Sequence, residues 1–175
     1  MNELSKNKLT ALFFLFLLSC FAACSQNSTD VQKFPEQVGD ISFDAAIDDP
    51  AFTVCNPKVM FQYYNTGSYY KDHKKEIAQY FTSRYVRPAD TLYQTGYLTI
   101  RFVINCKGET GRFRIYELDS NYQPFHFNQK IGEQLMALTK EVKGWQPSLY
   151  KEKTYDSYQY ITFRIRNGNI ISITP

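Results

Sequence analysis

Residues 97–105 read Tyr97-Leu-Thr-Ile-Arg-Phe-Val-Ile-Asn105, and apolar side chains occupy every second position of this stretch. Successive side chains of a β-strand point to opposite faces of the sheet, so this alternation predicts a strand with one buried face. The residues predicted to face the core are Leu98, Ile100, Phe102 and Ile104. The residues predicted to face away from the core are Tyr97, Thr99, Arg101 and Val103.

A second strand is predicted directly after the first, over residues 110–118. The segment between them, Lys107-Gly-Glu109, has the composition of a turn. Two adjacent strands joined by a short turn that contains glycine form an antiparallel hairpin. The middle of the chain therefore supplies two neighbouring strands of an antiparallel sheet.

A second hairpin is predicted at the end of the chain. Residues 158–166 alternate, Asn167-Gly168 is a strong signal for a two-residue hairpin turn, and residues 169–173 form the last strand. Regular pairing would place Ile171 and Ile173 on the polar face of the sheet. Either that face is partly covered or the hairpin contains a bulge, and the sequence permits both.

Two helices are predicted around the first hairpin. Residues 72–85 have apolar side chains at helical spacing, and Pro88 follows the predicted end. The second helix begins after Asn128, a good N-cap, and ends near Lys143. Its apolar stripe consists of Ile131, Leu135, Leu138 and Val142. The pattern predicts an α+β fold in which a small antiparallel β-sheet has its helices packed on one face.

The order of these elements resembles the C-terminal domain of TonB as it occurs in many Bacteroidetes proteins. The matching segments are residues 77–88, residues 96–105, Lys107-Gly-Glu109, the helix with Leu135 and Leu138, Gly144-Trp-Gln-Pro147, and Tyr160-Ile-Thr-Phe-Arg-Ile165. The resemblance implies this small sheet, a habit of binding partners by strand pairing at a sheet edge, and no catalytic residue. An energy-transducing TonB protein also has an uncleaved membrane helix and a long Pro-rich segment, which this sequence does not match.

The N-terminus has the pattern of a bacterial export signal. Residues 9–24 form a short apolar run that follows two lysines and ends in small residues. The final Ala-Ala-Cys24 resembles the lipobox of bacterial lipoproteins. We therefore predict a signal peptide over residues 1–23 and lipidation of Cys24, with Cys20 as the alternative. A membrane-spanning helix needs about 20 apolar residues, which makes an uncleaved anchor the less favoured interpretation.

The rest of the chain is predicted to form one domain with an N-terminal extension. Residues 24–52 would be a tether and an acidic arm, and residues 53–175 the domain. Two cysteines in the body of an exported protein more often pair than stay free, so Cys55 and Cys106 are predicted to form a disulfide. Two buried free cysteines are the alternative. A disulfide would attach the arm to the sheet.

Arginine and tyrosine side chains collect on the outward positions of the predicted strands. We define the Arg/Tyr face by Arg101, Arg112, Arg114, Arg164, Arg166, Tyr116 and Tyr160. Guanidinium groups among aromatic rings can bind an anion by forked hydrogen bonds and stacking, which favours a lipid head group, an acidic glycan or a carboxylate-rich peptide. The alternatives are an ordinary solvated sheet face, or a face covered by the acidic arm at residues 40–49.

The sequence carries no recognisable enzyme motif. It lacks the patterns of zinc proteases, serine hydrolases, P-loop proteins and dinucleotide enzymes. His73 and His126 are isolated, so neither a catalytic base nor a metal site is predicted, and no cofactor is expected. A formal net charge of +3 gives no reason to expect nucleic acid as a partner.

Together these observations predict a non-catalytic lipoprotein of the cell envelope. Acyl chains would hold it at the outer membrane, facing the periplasm. It would bind or scaffold an envelope protein by strand addition. The alternatives are an anionic ligand on the Arg/Tyr face, or an accessory role of TonB type in outer-membrane transport.

Overall fold

In the computed structural model of this protein, the described residues are 40–62 and 74–174. The predicted signal peptide, the first part of the tether, lipidation at Cys20 or Cys24, and His73 all lie outside the described residues. None of the helices in the described ranges is long and apolar enough to span a membrane.

The described residues contain six strands and two helices, which confirms the α+β class. In chain order they are β1 (Met60–Gln62), α1 (Lys74–Arg84), β2 (Gly96–Ile104), β3 (Thr110–Asp119), α2 (Gln129–Glu141), β4 (Ser148–Tyr150), β5 (Lys153–Arg166) and β6 (Asn169–Thr174). The main path of the sheet is β1-β5-β2-β3, and β4 and β6 also pair with β5. The 14-residue strand β5 is therefore the element that joins the sheet together.

The prediction of a purely antiparallel sheet is wrong at one edge. Strand β1 runs parallel to β5, with Met60 opposite Asp156 and Gln62 opposite Tyr158. Strand β5 also begins five residues earlier than predicted, and its extra length pairs with β4. Both additional strands have three residues, too few to show a period in the sequence.

The helices pack on one face of the sheet, as predicted. The main core joins the inward side chains of β2 and β5 to Ile77 and Phe81 of α1 and to Ile131 and Leu135 of α2. Asn128 is the N-cap of α2, because its side chain accepts a hydrogen bond from the Lys130 N–H at 3.0 Å. Helix α2 ends at Glu141, two residues before the predicted end.

The hairpin of β5 and β6 contains the bulge that the sequence left open. Ile165 lies opposite Ile170, the register then shifts by one residue, and Phe163 lies opposite Ile173. The shift turns Ile173 toward the core cluster and leaves Ile171 half exposed at 49%. A bulge is favoured because it keeps two of the three isoleucines of β6 against apolar neighbours.

The acidic arm forms a second, smaller hydrophobic cluster on the opposite face of the sheet. Ile41 packs with Val103 and Tyr158, and Phe52 packs against this group. Gly111 of β3 makes the contact with Phe52 possible, since a Cβ at this position would overlap the phenyl ring. The sheet is thus covered by helices on one face and by the arm on part of the other.

Candidate functional site

Strands β2, β3 and β5 bring several residues of the Arg/Tyr face together. Arg101 lies opposite Arg114 on one side and opposite Tyr160 on the other. Tyr116 is opposite Thr99, whose hydroxyl lies 2.9 Å from that of Thr162. These residues share the face turned away from the helices, because paired positions in a sheet point to the same side.

Arg164 and Arg166 lie farther along β5 and are both exposed. Arg164 is opposite Tyr97, and the Tyr97 ring stacks on that of Tyr122 with centroids 5.1 Å apart and an angle of 11°. Tyr122 belongs to a loop and has a positive φ of 61°. Because loop residues follow no periodic pattern, the sequence could not indicate that Tyr122 lies here. The structure therefore adds Tyr122 to the predicted face.

The acidic arm occupies the end of the face that holds Arg112 and Arg114. Arg112 lies at a bulge of β3, with a φ of 54°, and donates a hydrogen bond to the Ile41 carbonyl at 3.2 Å. Arg114 donates to the Ser42 carbonyl at 2.8 Å. This arrangement matches the covered-face alternative for these two arginines.

A forked ion pair between Asp48 and Arg114 fixes the arm. The two terminal guanidinium nitrogens of Arg114 donate to the two carboxylate oxygens of Asp48, each at 2.7 Å. The side chain of Asp48 is 2% exposed and that of Arg114 is 18% exposed. The hydrogen bonds from Arg114 lower the pKa of Asp48, and this effect outweighs burial, which raises it. Arg114 therefore already holds a carboxylate, supplied by its own chain.

The predicted disulfide is present, and Asp156 organises the backbone around it. Cys55 and Cys106 are joined, with their Cα atoms 6.0 Å apart. The carboxylate of Asp156, 1% exposed, accepts hydrogen bonds from the Cys106 N–H at 2.8 Å and the Asn56 N–H at 2.7 Å. Within residues 40–62 and 74–174, the two cysteines and Asp156 are the only cluster of three possible metal ligands. The two sulfur atoms of this cluster are bonded to each other.

His126 contacts a carboxylate, which the sequence did not indicate. Its Nδ1 lies 3.4 Å from Glu117, whereas the imidazole itself is 92% exposed. Burial raises the pKa of Glu117, and the hydrogen bond with His126 opposes that effect. The pair lies at the end of β3, outside the Arg/Tyr face.

The outer edge of β3 is the second feature that could bind a partner. At one end the Asp119 N–H donates to the Gln123 carbonyl, and the Phe125 N–H donates to the Glu117 carbonyl. Backbone groups of alternate residues point the same way, so those of Ile115 also point outward. Between residues 110 and 116, no described residue pairs with β3 on this side. The edge thus presents backbone donors and acceptors to a further strand.

Comparison of the chain with protein-family models, curated proteins and solved structures found no match.

Proposed function

We propose that this protein is a non-catalytic binding domain of the bacterial envelope that adds an extended segment of a partner protein to the outer edge of β3. The observation that carries the proposal is the edge itself, because unpaired strand edges are templates for another chain. Acyl chains on Cys24 would hold the domain at the outer membrane, facing the periplasm. An accessory role of TonB type in outer-membrane transport is the alternative that this mode of binding would also serve.

The edge already pairs with one backbone segment of its own chain. Leu118 forms an antiparallel bridge with Pro124, so the segment after β3 folds back onto its last residues. The bulge at Arg112 distorts the opposite end, and the Phe113 carbonyl accepts a hydrogen bond from the Arg114 side chain at 2.9 Å, which limits the free edge to residues 114–116. A short edge of this kind suits a specific peptide better than uncontrolled aggregation.

A groove beside the edge can receive side chains of the added strand. It lies between the arm and β3, and its lining includes Ser42, Asp44, Arg114 and Tyr116. A strand next to Ile115 would direct every second side chain toward this groove. Backbone pairing would supply affinity and the groove selectivity.

Site-directed photocrosslinking tests the proposal in living cells. A photoreactive phenylalanine at Tyr116 should give an adduct with one envelope protein, and the same probe at Tyr150 should not. Ile115→Pro should abolish the adduct, because proline removes the outward N–H without removing a hydrogen bond to β2. Ile115→Ala is the control, since it removes similar side-chain contacts and keeps the N–H.

The outcome is decisive in either direction. An adduct that survives Ile115→Pro would place the partner elsewhere, and the absence of any adduct at Tyr116 would reject the β3 edge. Both proline and alanine variants should retain the circular dichroism spectrum of the parent.

The forked pair favours a second candidate, an anionic ligand on the Arg/Tyr face. Asp48 demonstrates that a carboxylate fits the guanidinium of Arg114 with two short hydrogen bonds. The arm would then compete with a carboxylate-rich peptide for the same group. Arg164, exposed at the far end of the face, would add a second positive charge.

Asp48→Asn is expected to raise the affinity for polyglutamate, measured by titration calorimetry, because it releases Arg114. It should also lower the free energy of unfolding at pH 7 by about 2 kcal/mol, the size of a hydrogen-bond loss to a charged group. Since the pKa of Asp48 is lowered from 3.8 in the folded state, its contribution is complete above that value. This contribution is lost as pH falls through the folded-state pKa of Asp48. The free energy of unfolding of the variant should therefore fall less steeply at acid pH than that of the parent.

Asp49→Asn is the matched control, because the Asp49 side chain is exposed and accepts a hydrogen bond from the Ala51 N–H, two residues away, rather than from the sheet. It should leave polyglutamate affinity unchanged. An Asp48→Asn variant that binds polyglutamate no better than the parent would reject the competition between arm and ligand.

A further inference from the structure

Large apolar side chains are concentrated in the connection from α1 to β2. Tyr93 is 94% exposed, Val86 72% and Leu92 58%. Single exposed hydrophobic residues are ordinary on protein surfaces. Here three of the most exposed ones fall within eight consecutive residues, which points to a surface with a use.

Leu92 and Tyr93 stand at the tip of a β-turn. The Gln94 N–H donates to the Thr91 carbonyl at 3.0 Å, so Leu92 and Tyr93 are the two central residues. These positions usually carry glycine, proline, asparagine, aspartate or serine, because such residues suit the backbone and the solvent. Turn formation therefore gives no reason for a leucine and a tyrosine here.

The base of this turn is firmly attached to the domain. Thr91 is fully buried, and its hydroxyl donates to the Pro88 carbonyl at 2.7 Å. The Gly168 N–H donates to the Gln94 carbonyl at 2.9 Å, which joins the turn to the hairpin of β5 and β6. The Gln94 side chain in turn accepts from the Asn128 N–H at 2.7 Å.

Val86, five residues before Thr91 in the same connection, is attached to one side chain of α2. Gln134 accepts a hydrogen bond from the Val86 N–H at 2.6 Å and donates one to the Val86 carbonyl at 2.9 Å. Both backbone groups of Val86 are thus fixed while its side chain points into solvent. Hydrogen bonds therefore hold the backbone of Val86 and of the turn in place, and the apolar side chains of Val86, Leu92 and Tyr93 stay exposed.

Two arginines lie near the projection. Arg87 follows Val86 directly in the chain. Arg166 is the last residue of β5, two residues before Gly168, whose N–H donates to the Gln94 carbonyl. Both arginine side chains are exposed. The same connection contains one acidic residue, Asp90. Apolar and tyrosine side chains beside arginines are the composition of a protein surface that lies in the head-group region of a membrane.

We propose that the apolar tip, Val86, Leu92 and Tyr93, inserts into the interfacial layer of a phospholipid bilayer. Leu92 and Val86 would enter the acyl-chain boundary, and Tyr93 would keep its hydroxyl at the level of the head groups. Arg87 and Arg166 would face lipid phosphates. The proposal does not depend on the β3 edge, and insertion would set the orientation of the domain on the membrane to which the proposed acyl anchor would attach it.

Depth-dependent fluorescence quenching tests the insertion on the full chain. The protein carrying Tyr93→Trp, the tip probe, is reconstituted into vesicles of phosphatidylethanolamine and phosphatidylglycerol with brominated acyl chains. Lys107→Trp is the matched control probe, because Lys107 is also exposed and lies in the turn after β2, whereas the tip precedes β2. The nine residues of β2 separate the two probes by about 30 Å. Buried Trp145 contributes the same background to both variants.

We expect brominated lipid to quench the tip probe several-fold more than the control probe. Adding Leu92→Ser to the Tyr93→Trp protein should remove most of that difference. Equal quenching of the two probes would overturn the proposal, because it would show adsorption without orientation. Quenching of neither probe would also overturn it. A blue-shifted tip probe that brominated lipid does not quench would assign the tip to a protein contact and reject the bilayer.

Discussion

Replacing Cys55 and Cys106 together by serine is expected to lower the free energy of unfolding by about 4 kcal/mol. The bond joins residues separated by 51 positions, so its removal restores the entropy of a long open loop to the unfolded chain. The loss should appear in urea unfolding as a lower midpoint with a larger slope, because the unbridged chain unfolds to a less compact state.

Chemical reduction of the parent supplies the control, since it opens the same loop without a substitution. The reduced parent and the double serine variant should unfold at similar urea concentrations. A loss below about 1 kcal/mol would contradict the loop-entropy explanation, because that model assigns most of its effect to a loop of this length.

The local sequence pattern was sufficient to predict the strands and helices that build the main core. The alternation around Ile100 and the stripe around Leu135 each identify a buried face from neighbouring residues alone. Both ends of β2 and of β3 were therefore predicted to within one residue. The bulge at Ile171 needed more, because turn chemistry and burial gave conflicting registers and only packing chooses between them.

The elements that the sequence did not predict depend on distant partners. Met60 pairs with Asp156 across almost 100 positions, and the strand that contains Met60 has only three residues. Such a strand exists because β5 offers an edge, and its own composition carries little information. The parallel direction of β1 likewise depends on its pairing with β5 and is not recorded in any local pattern.

The candidate site was predicted by residue type more successfully than by arrangement. Charge indicated that the acidic arm could cover arginines, but not that Asp48 would select Arg114. Tyr122 was missed because it contributes from a loop, and loops have no periodicity. The Arg/Tyr face consequently has one end covered by the arm, at Arg112 and Arg114, and one exposed end, at Arg164 and Arg166.

Asp156→Ala is expected to cost about 4 kcal/mol of unfolding free energy, which matches the effect of the disulfide. The carboxylate accepts backbone hydrogen bonds from Asn56 and Cys106, and each is worth about 2 kcal/mol when the acceptor is charged. Alanine would leave two N–H groups without this acceptor beside a buried cavity. Asp156→Asn is the control, because it removes the charge and keeps one acceptor, so its loss should be intermediate.

Combining the two changes distinguishes how each one acts. The disulfide restricts the unfolded chain, whereas Asp156 stabilises only the folded state, so the sum of their losses is the reference value. The Asp156 carboxylate lies within 4.8 Å of both sulfur atoms and accepts a hydrogen bond from the Cys106 N–H, so the departure from this sum measures the coupling between the two groups. A sum of about 8 kcal/mol is comparable to the whole stability of an ordinary domain. The protein with Cys55→Ser, Cys106→Ser and Asp156→Ala should therefore be largely unfolded by circular dichroism at 37 °C. If its loss instead equals that of the larger single change, Asp156 acts only by supporting the disulfide, and the additive account is wrong.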